Sequence, residues 1–226
     1  MSQPPAGPVP GTTLSEHESK RRLAAIGVPI VEETLVADPE GAARAASALG
    51  FPVAVKLCGR SIAHKTERGL VKLGMRDEAS VRASAAELLA AARPEDGAVE
   101  LLVSRMVSGK RELIAGAATD PTFGPCVLFG IGGIFAEALA DVAFRLAPLE
   151  RVDADEMIAQ IRHRAWLGAF RGEPPVDRER LAEVLVALGR LVAEDSSILS
   201  IDVNPLIVSD GVPTAVDALI EVRASR

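Results

Sequence analysis

Polar and apolar positions sort into short apolar runs separated by amphipathic stretches, and the two periods predict different elements. Leu14 to Ile26 carries its apolar residues at helical spacing, with Ser15 as N-cap, Glu18 completing a capping box and Gly27 as the stop. Next come an extended Pro29 to Val36, a helix from Pro39 to Leu49 ended by Gly50, and a strand from Val53 to Leu57. A polar loop, a strand from Leu70 to Gly74 and a helix from Glu78 to Ala92 follow. Beyond a break near Arg93 to Gly97, strands are predicted at Val99 to Met106, Glu112 to Ala118 and Cys126 to Phe129. A glycine-rich loop, an extended Val142 to Leu146, helices near Asp153 to Arg164 and Val176 to Ala193, and a terminal hairpin complete the chain. Strands and helices mix without strict βαβ alternation. This predicts an α+β protein of two α+β lobes and not a doubly wound parallel sheet. The lobes are placed at residues 14–97 and 98–226. Residues 1–13, with Pro4, Pro5, Pro8 and Pro10, read as a flexible leader that packs against nothing. No internal repeat is visible.

The terminal hairpin, Ser200 to Ile220, carries the strongest chemical pattern. Asp210-Gly211 between apolar runs favours a two-residue loop, which places Asn204 across from Asp217. Strand alternation sends Asp202 and Asn204 to one face and Val203 to the other, so two carboxylates and an amide oxygen converge. Such a trio suits Mg²⁺, a hard cation that takes oxygen ligands and leaves positions for water and phosphate. The alternative is that these Asp and Asn residues serve only as turn formers.

Composition narrows the field. The net charge of −6 argues against a nucleic-acid partner, which requires clustered Lys and Arg. No apolar run approaches the roughly 18 residues of a membrane helix, and no secretory leader is evident. Cys58 and Cys126 are far apart without metal-type spacing, so a reducing cytoplasm is the default expectation. Tyr is absent and aromatic residues make up only 3%, so a bound purine is expected to rest on aliphatic side chains.

Further groups can do chemistry. Lys56 ends an apolar strand where its ammonium can meet phosphate oxygens; the alternative is that it reaches solvent. His64 lies in a polar loop beside Lys65 and Arg68, where nearby cations favour a neutral, nucleophilic imidazole and stabilise a phosphoryl group placed on it. Gly130, Gly132 and Gly133 follow a strand and can turn backbone N–H groups towards an anion, or mark a tight crossing. Glu137, Asp141 and Arg145 supply charge nearby, with Arg145 a candidate phosphoryl clamp. Glu112, after Lys110-Arg111, either faces a ribose or pairs with a neighbouring cation.

Together, Val53-Ala-Val-Lys56, Ala63-His-Lys-Thr66, Phe123-Gly-Pro, Leu128-Phe-Gly-Ile-Gly-Gly-Ile-Phe-Ala-Glu137, Phe144-Arg-Leu-Ala-Pro148 and Ile201-Asp-Val-Asn-Pro205 resemble the ATP-grasp β subunit of ADP-forming acyl-CoA synthetases, a family related to succinyl-CoA synthetase. The resemblance spans roughly Leu14 to Val222. It implies an ATP-grasp fold with a nucleotide cleft between the lobes and ATP/ADP and Mg²⁺ as cofactors. The activity implied is that of an acid–CoA ligase, acid, CoA and ATP giving acyl-CoA, ADP and phosphate. It further implies a CoA-binding α subunit in a hetero-oligomer such as α2β2, because the chain has no evident room for that part. By matching motif, Lys56 would contact ATP phosphates, Asn204 and Asp217 would bind Mg²⁺ with support from Asp202, and His64 would be a phosphohistidine in a relay. The catalytic set is then His64, Arg145 and Glu137. Gly130, Gly132 and Gly133 would receive the arriving phosphoryl. Leu101 and Val103, in a hinge running to Met106, would take the adenine edge with Glu112 on the ribose. Gly69 is followed by Leu70 where relatives commonly have a second glycine, and the hinge reads Ser104-Arg105 where Gln or Glu is more usual before Met. These departures raise the alternative of a nucleotide-sensing or regulatory module without the relay.

Overall fold

A computed structural model describes residues 11–62, 65–133 and 140–224. Local signals set most element ends. Helix α1 (Glu16–Ala25) is closed by the Ser15/Glu18 capping box. Strand β2 (Glu33–Val36) leads to α2 (Pro39–Leu49), where Asp38 accepts from Gly41 N at 2.7 Å and Gly50 ends the helix at φ +82°. Strands β3 (Val53–Cys58) and β4 (Val71–Met75) precede α3 (Glu78–Ala90), capped by Asp77, and β5 (Glu100–Arg105) closes the unit. These strands form an antiparallel sheet in the order β2-β5-β3-β4. One face packs on α2 and α3 through Ala42, Val53, Val55, Leu57, Val81, Leu88, Leu101 and Val103. Because β3 alternates, Ala54 and Lys56 take the opposite face.

The second unit contains β6 (Arg111–Asp120), β7 (Gly124–Ile131), β8 (Val142–Leu146), α4 (Arg151–Gln160), α5 (Arg178–Glu194), β9 (Ile198–Ser209), β10 (Val212–Ala215) and β11 (Ala218–Arg223). With β1 (Gly11–Thr13) at one edge, its sheet runs β1-β11-β9-β6-β7-β8, with β10 also on β9; these ladders are antiparallel. Helices α4 and α5 cover one face, burying Met157, Ile158, Leu181, Leu185 and Leu188 against Val127, Phe129, Ile201 and Val203. The 106–110 segment connects the two sheets. The α+β, two-lobe expectation holds.

The expected boundaries shift at the N-terminus. Gly11–Thr13, assigned to the leader, forms β1 on the edge of the larger sheet, with Thr12 opposite Val222. Residues 14–30, assigned to the first lobe, pack on the second: Leu23 and Val28 join its core, and Ser19 Oγ accepts from Ile220 N at 3.1 Å. The physical reason is that β11 is apolar and needs a cover, which the Leu23 side of α1 supplies. Among the described residues, no helix is long and apolar enough to cross a membrane.

Candidate functional site

The hairpin register is the one expected. Val212 pairs with Ser209 around Asp210-Gly211, Ala215 with Leu206, and the same register resumes at Ala218 with Val203. Asp217 therefore lies level with Asn204, in the short interruption between β10 and β11 where Val216 N donates to Pro205 O at 3.2 Å. Val203 is fully buried while Asp202 and Asn204 are exposed on the other face, as alternation requires. Partial desolvation on that face, and secondarily the charge of Asp217, push the Asp202 carboxyl above its usual range. Two neighbouring carboxylates, with the charge of Asp217 opposing ionisation of Asp202, form beside an amide oxygen the donor set a hard divalent cation takes. These residues fit Mg²⁺.

Lys56 meets this edge from the other lobe. Its strand buries it to 6% exposure, so it does not reach solvent, and its Nζ donates to Val216 O at 2.9 Å and lies 4.0 Å from Asp217. It also donates at 2.6 Å to Glu16, the first residue of α1. Lys65 bridges Glu16 and Asp217, the latter at 3.1 Å. Lys20 closes the cluster, 2.7 Å from Glu16 and paired with Glu33, whose other oxygen lies 2.9 Å from His17 Nδ1. Burial pushes the Glu16 carboxyl up, but the charges of Lys56, Lys20 and Lys65 outweigh it and hold the group well below the usual carboxylate range. Burial likewise pulls Lys65 down, and Glu16 and Asp217 more than reverse this. Ammonium groups from two segments of one lobe thus converge on a carboxylate of the other, a geometry suited to a polyphosphate held with a metal ion.

Sequence reasoning missed Glu16, Lys20 and Glu33. A signal existed: Glu16, Lys20 and Leu23 share one helical stripe, so the face that buries Leu23 must bury both charges.

Several expected site residues lie elsewhere. Arg145 is opposite Val127, which is opposite Ala117 and then Ile201, all on the helix-covered face. The row through the site is Asp202, Gly116, Leu128 and Phe144, on the other side of the sheet. Arg145 instead binds Gln160 at 3.0 Å and Glu156 at 3.3 Å on α4, away from the Asp202 row. Leu101 and Val103 are fully buried in the first core, on a strand flanked by β2 and β3. Neither backbone edge nor side chain is open to an adenine. Gly130 is a rung of β7 between Ile114 and Val142, and a Cβ there would lie 2.7 Å from Val142 Cγ1. Gly132 donates to Glu112 O at 2.8 Å. These two glycines serve strand packing, and Gly133, at φ +69°, is the one of the three with a left-handed backbone.

Glu112 shares the cleft-side parity of Ile114 and Gly116, and a Cβ on Gly133 would sit 3.0 Å from its Oε2. Its neighbour Arg111 is committed elsewhere, fully buried and donating to Gly168 O at 2.8 Å and Pro174 O at 2.5 Å. Asp141 is also structural, accepting from Arg162 N at 3.0 Å and His163 N at 2.8 Å. His64 and Glu137 lie outside the described residues.

A two-lobed molecule of this topology, with facing lysines and a carboxylate hairpin, is an ATP-grasp domain, and the ATP-grasp domain model matches residues 9–222. The chain is 38% identical over 208 residues to the acetate–CoA ligase [ADP-forming] I subunit beta of Pyrococcus furiosus, covering 91% of this chain and 90% of that one. It is 36% identical over 200 residues to the 4-hydroxybutyrate–CoA ligase [ADP-forming] of Nitrosopumilus maritimus, covering 87% of this chain but 29% of that longer protein. Among solved structures, a Ca. Korarchaeum cryptofilum acetyl-coenzyme A synthetase 1 in complex with coenzyme A and Mg-AMPPCP, its phosphohistidine segment pointing towards the nucleotide binding site, superposes with a TM-score of 0.79. The two are 36% identical, with 93% of each chain covered. The same protein with coenzyme A, Ca-AMPCP and HgCl+ reaches 0.86 at 36% identity, covering 94% of each chain. The chain belongs to the ATP-grasp family, within the branch of ADP-forming acyl-CoA ligase β subunits. The relatives named here are ligases, which does not favour the sensing-module alternative.

Proposed function

We propose that the chain is the nucleotide-handling β subunit of an ADP-forming acid–CoA ligase. The reaction is acid, CoA and ATP giving acyl-CoA, ADP and phosphate, completed with a CoA-binding α subunit in an α2β2 assembly. The observation that carries this reading is the convergence of Lys56 and Lys65 on Asp217, beside Asp202 and Asn204. In this reading Lys56 and Lys65 bind the ATP phosphates and orient the terminal phosphorus, and Asp202, Asn204 and Asp217 hold Mg²⁺. When bound, Mg²⁺ neutralises charge on the phosphate oxygens. The 106–110 segment takes the adenine edge and Glu112 a ribose hydroxyl. His64, one residue before Lys65, accepts the phosphoryl on a ring nitrogen and passes it to the acyl-forming site. Preorganised ammonium groups in a partly buried cleft stabilise the transferring phosphoryl without reorganising at the moment of reaction.

The test is reconstitution. The purified chain, mixed with a CoA-binding subunit encoded beside a related ligase, should form acyl-CoA and ADP in equal amounts from ATP, CoA and a short carboxylic acid. AMP and pyrophosphate in place of ADP would overturn the reading.

A further inference from the structure

Glu16 has no role in the reaction as set out above, yet it is the most heavily contacted charge in the cleft. Its side chain is 2% exposed, and it sits at the start of a helix that packs on the second lobe. Its carboxylate nevertheless points at the first. Oε1 accepts from Lys20 at 2.7 Å and Lys56 at 2.6 Å, and Oε2 accepts from Lys65. A lysine ammonium has three donors. For Lys56, Glu16 takes one and Val216 O a second, which leaves the third on the side of Asp217, 4.0 Å away and too far for a direct bond. Lys65 is tied between Glu16 and Asp217. The carboxylate thus fixes where both ammonium groups stand relative to the hairpin.

Charge counting sharpens this. Lys20, Lys56 and Lys65 are balanced by Glu16, Glu33 and Asp217. Without Glu16, Lys56 has only a carbonyl and a carboxylate 4.0 Å away, and its repulsion from Lys65 is unopposed. A brace between lobes would need any one of these pairs. Collecting both first-lobe lysines on one carboxylate does more.

We propose that Glu16 is a positioning residue of the nucleotide site, holding Lys56 and Lys65 side by side at the Asp217 edge so that a metal-bound polyphosphate meets them already aimed. The inference rests on the proposed function and adds to it the residue that builds its phosphate subsite. Glu16 does not touch the phosphates; it acts through the lysines.

Two variants of the full chain test it by titration with Mg²⁺ and AMPPCP, a non-hydrolysable ATP analogue. Glu16→Gln keeps the shape and removes the charge. Glu16→Gln with Lys20→Met also removes one buried cation and so restores the net charge of the cluster, leaving Glu33 with His17 as its partner; circular dichroism of each variant establishes that it is folded before titration. Both are expected to bind Mg·AMPPCP at least tenfold more weakly than the native chain, measured at a temperature where each variant is fully folded. In the reconstituted ligase KM for ATP should rise while KM for CoA stays unchanged. Native affinity in the double variant would overturn the proposal, since Glu16 would then serve charge balance alone. A native chain that fails to bind Mg·AMPPCP would overturn the proposed function instead.

Discussion

Asp217→Asn removes one charge and almost no volume, and the structure gives its two effects opposite signs. The Lys65–Asp217 pair spans 3.1 Å with side chains 14% and 31% exposed, so its loss costs about 1 kcal/mol. Against this, Asp217 is one cause of the raised Asp202 pKa, and removing its charge lets Asp202 ionise more easily. The net loss is therefore below about 1 kcal/mol, or less than about 4 °C in melting temperature for a chain of this length. Nucleotide binding should respond far more. Changing a residue that merely supports a metal ligand costs roughly 10–100-fold, so loss of one of two ligating carboxylates should weaken Mg²⁺-dependent AMPPCP binding at least about 100-fold, close to 2.7 kcal/mol. Calorimetric titration with Mg²⁺ and again with EDTA separates metal from phosphate effects. Without metal, a carboxylate beside the phosphates repels them, so the variant should bind no worse than the native chain. Unchanged affinity with Mg²⁺, or an equal loss in EDTA, would refute the assignment.

Other sites give further tests. Gly130→Ala drives a Cβ to 2.7 Å from Val142 Cγ1 and 2.9 Å from Asp141 O and should cost about 1–3 kcal/mol in urea unfolding, with AMPPCP affinity unchanged. Arg111→Met leaves Glu173 without its cation and the carbonyls of Gly168 and Pro174 without their buried donor, and should cost about 3–5 kcal/mol in the same assay. Burial raises the Asp141 carboxyl, but bonds from Arg162 N, His163 N and the His163 ring outweigh it and hold the pKa at about 2. A pKa lowered on folding contributes stability above the unfolded value of about 4 that disappears as pH falls towards 2. Acid titration followed by circular dichroism should show this loss in the native chain and a smaller one in Asp141→Asn.

What the sequence disclosed follows from how local each signal is. The Ser15/Glu18 box, Asp38-Pro39 and Gly50 act within one turn of helix, so the ends of α1 and α2 were legible. Asp210-Gly211 fixed a register that carried Asp202, Asn204 and Asp217 to one edge, because strand period and loop length propagate without tertiary help. The face that Arg145 takes depends on pairing parity across β7, β6 and β9, which only the assembled sheet sets. Gly130 and Gly132 have the composition of an anion loop, and their strand pairing decides otherwise. Glu16 and Lys20 share the helical stripe of Leu23, so the pattern can mark them as buried but names no partner for them. Their partners Lys56 and Lys65 come from the other lobe, which no period within α1 reports. Gly11–Thr13 likewise has no strand signature and pairs because β11 offers an open edge.

The most direct measurement incubates the purified chain with Mg²⁺ and ATP labelled on the γ-phosphate, in the presence of a CoA-binding subunit, and maps the protein-bound label. The account predicts an acid-labile, base-stable label on His64 that disappears in Asp217→Asn and is discharged by ADP. Nucleotide binding of normal affinity with no label on His64 would contradict it.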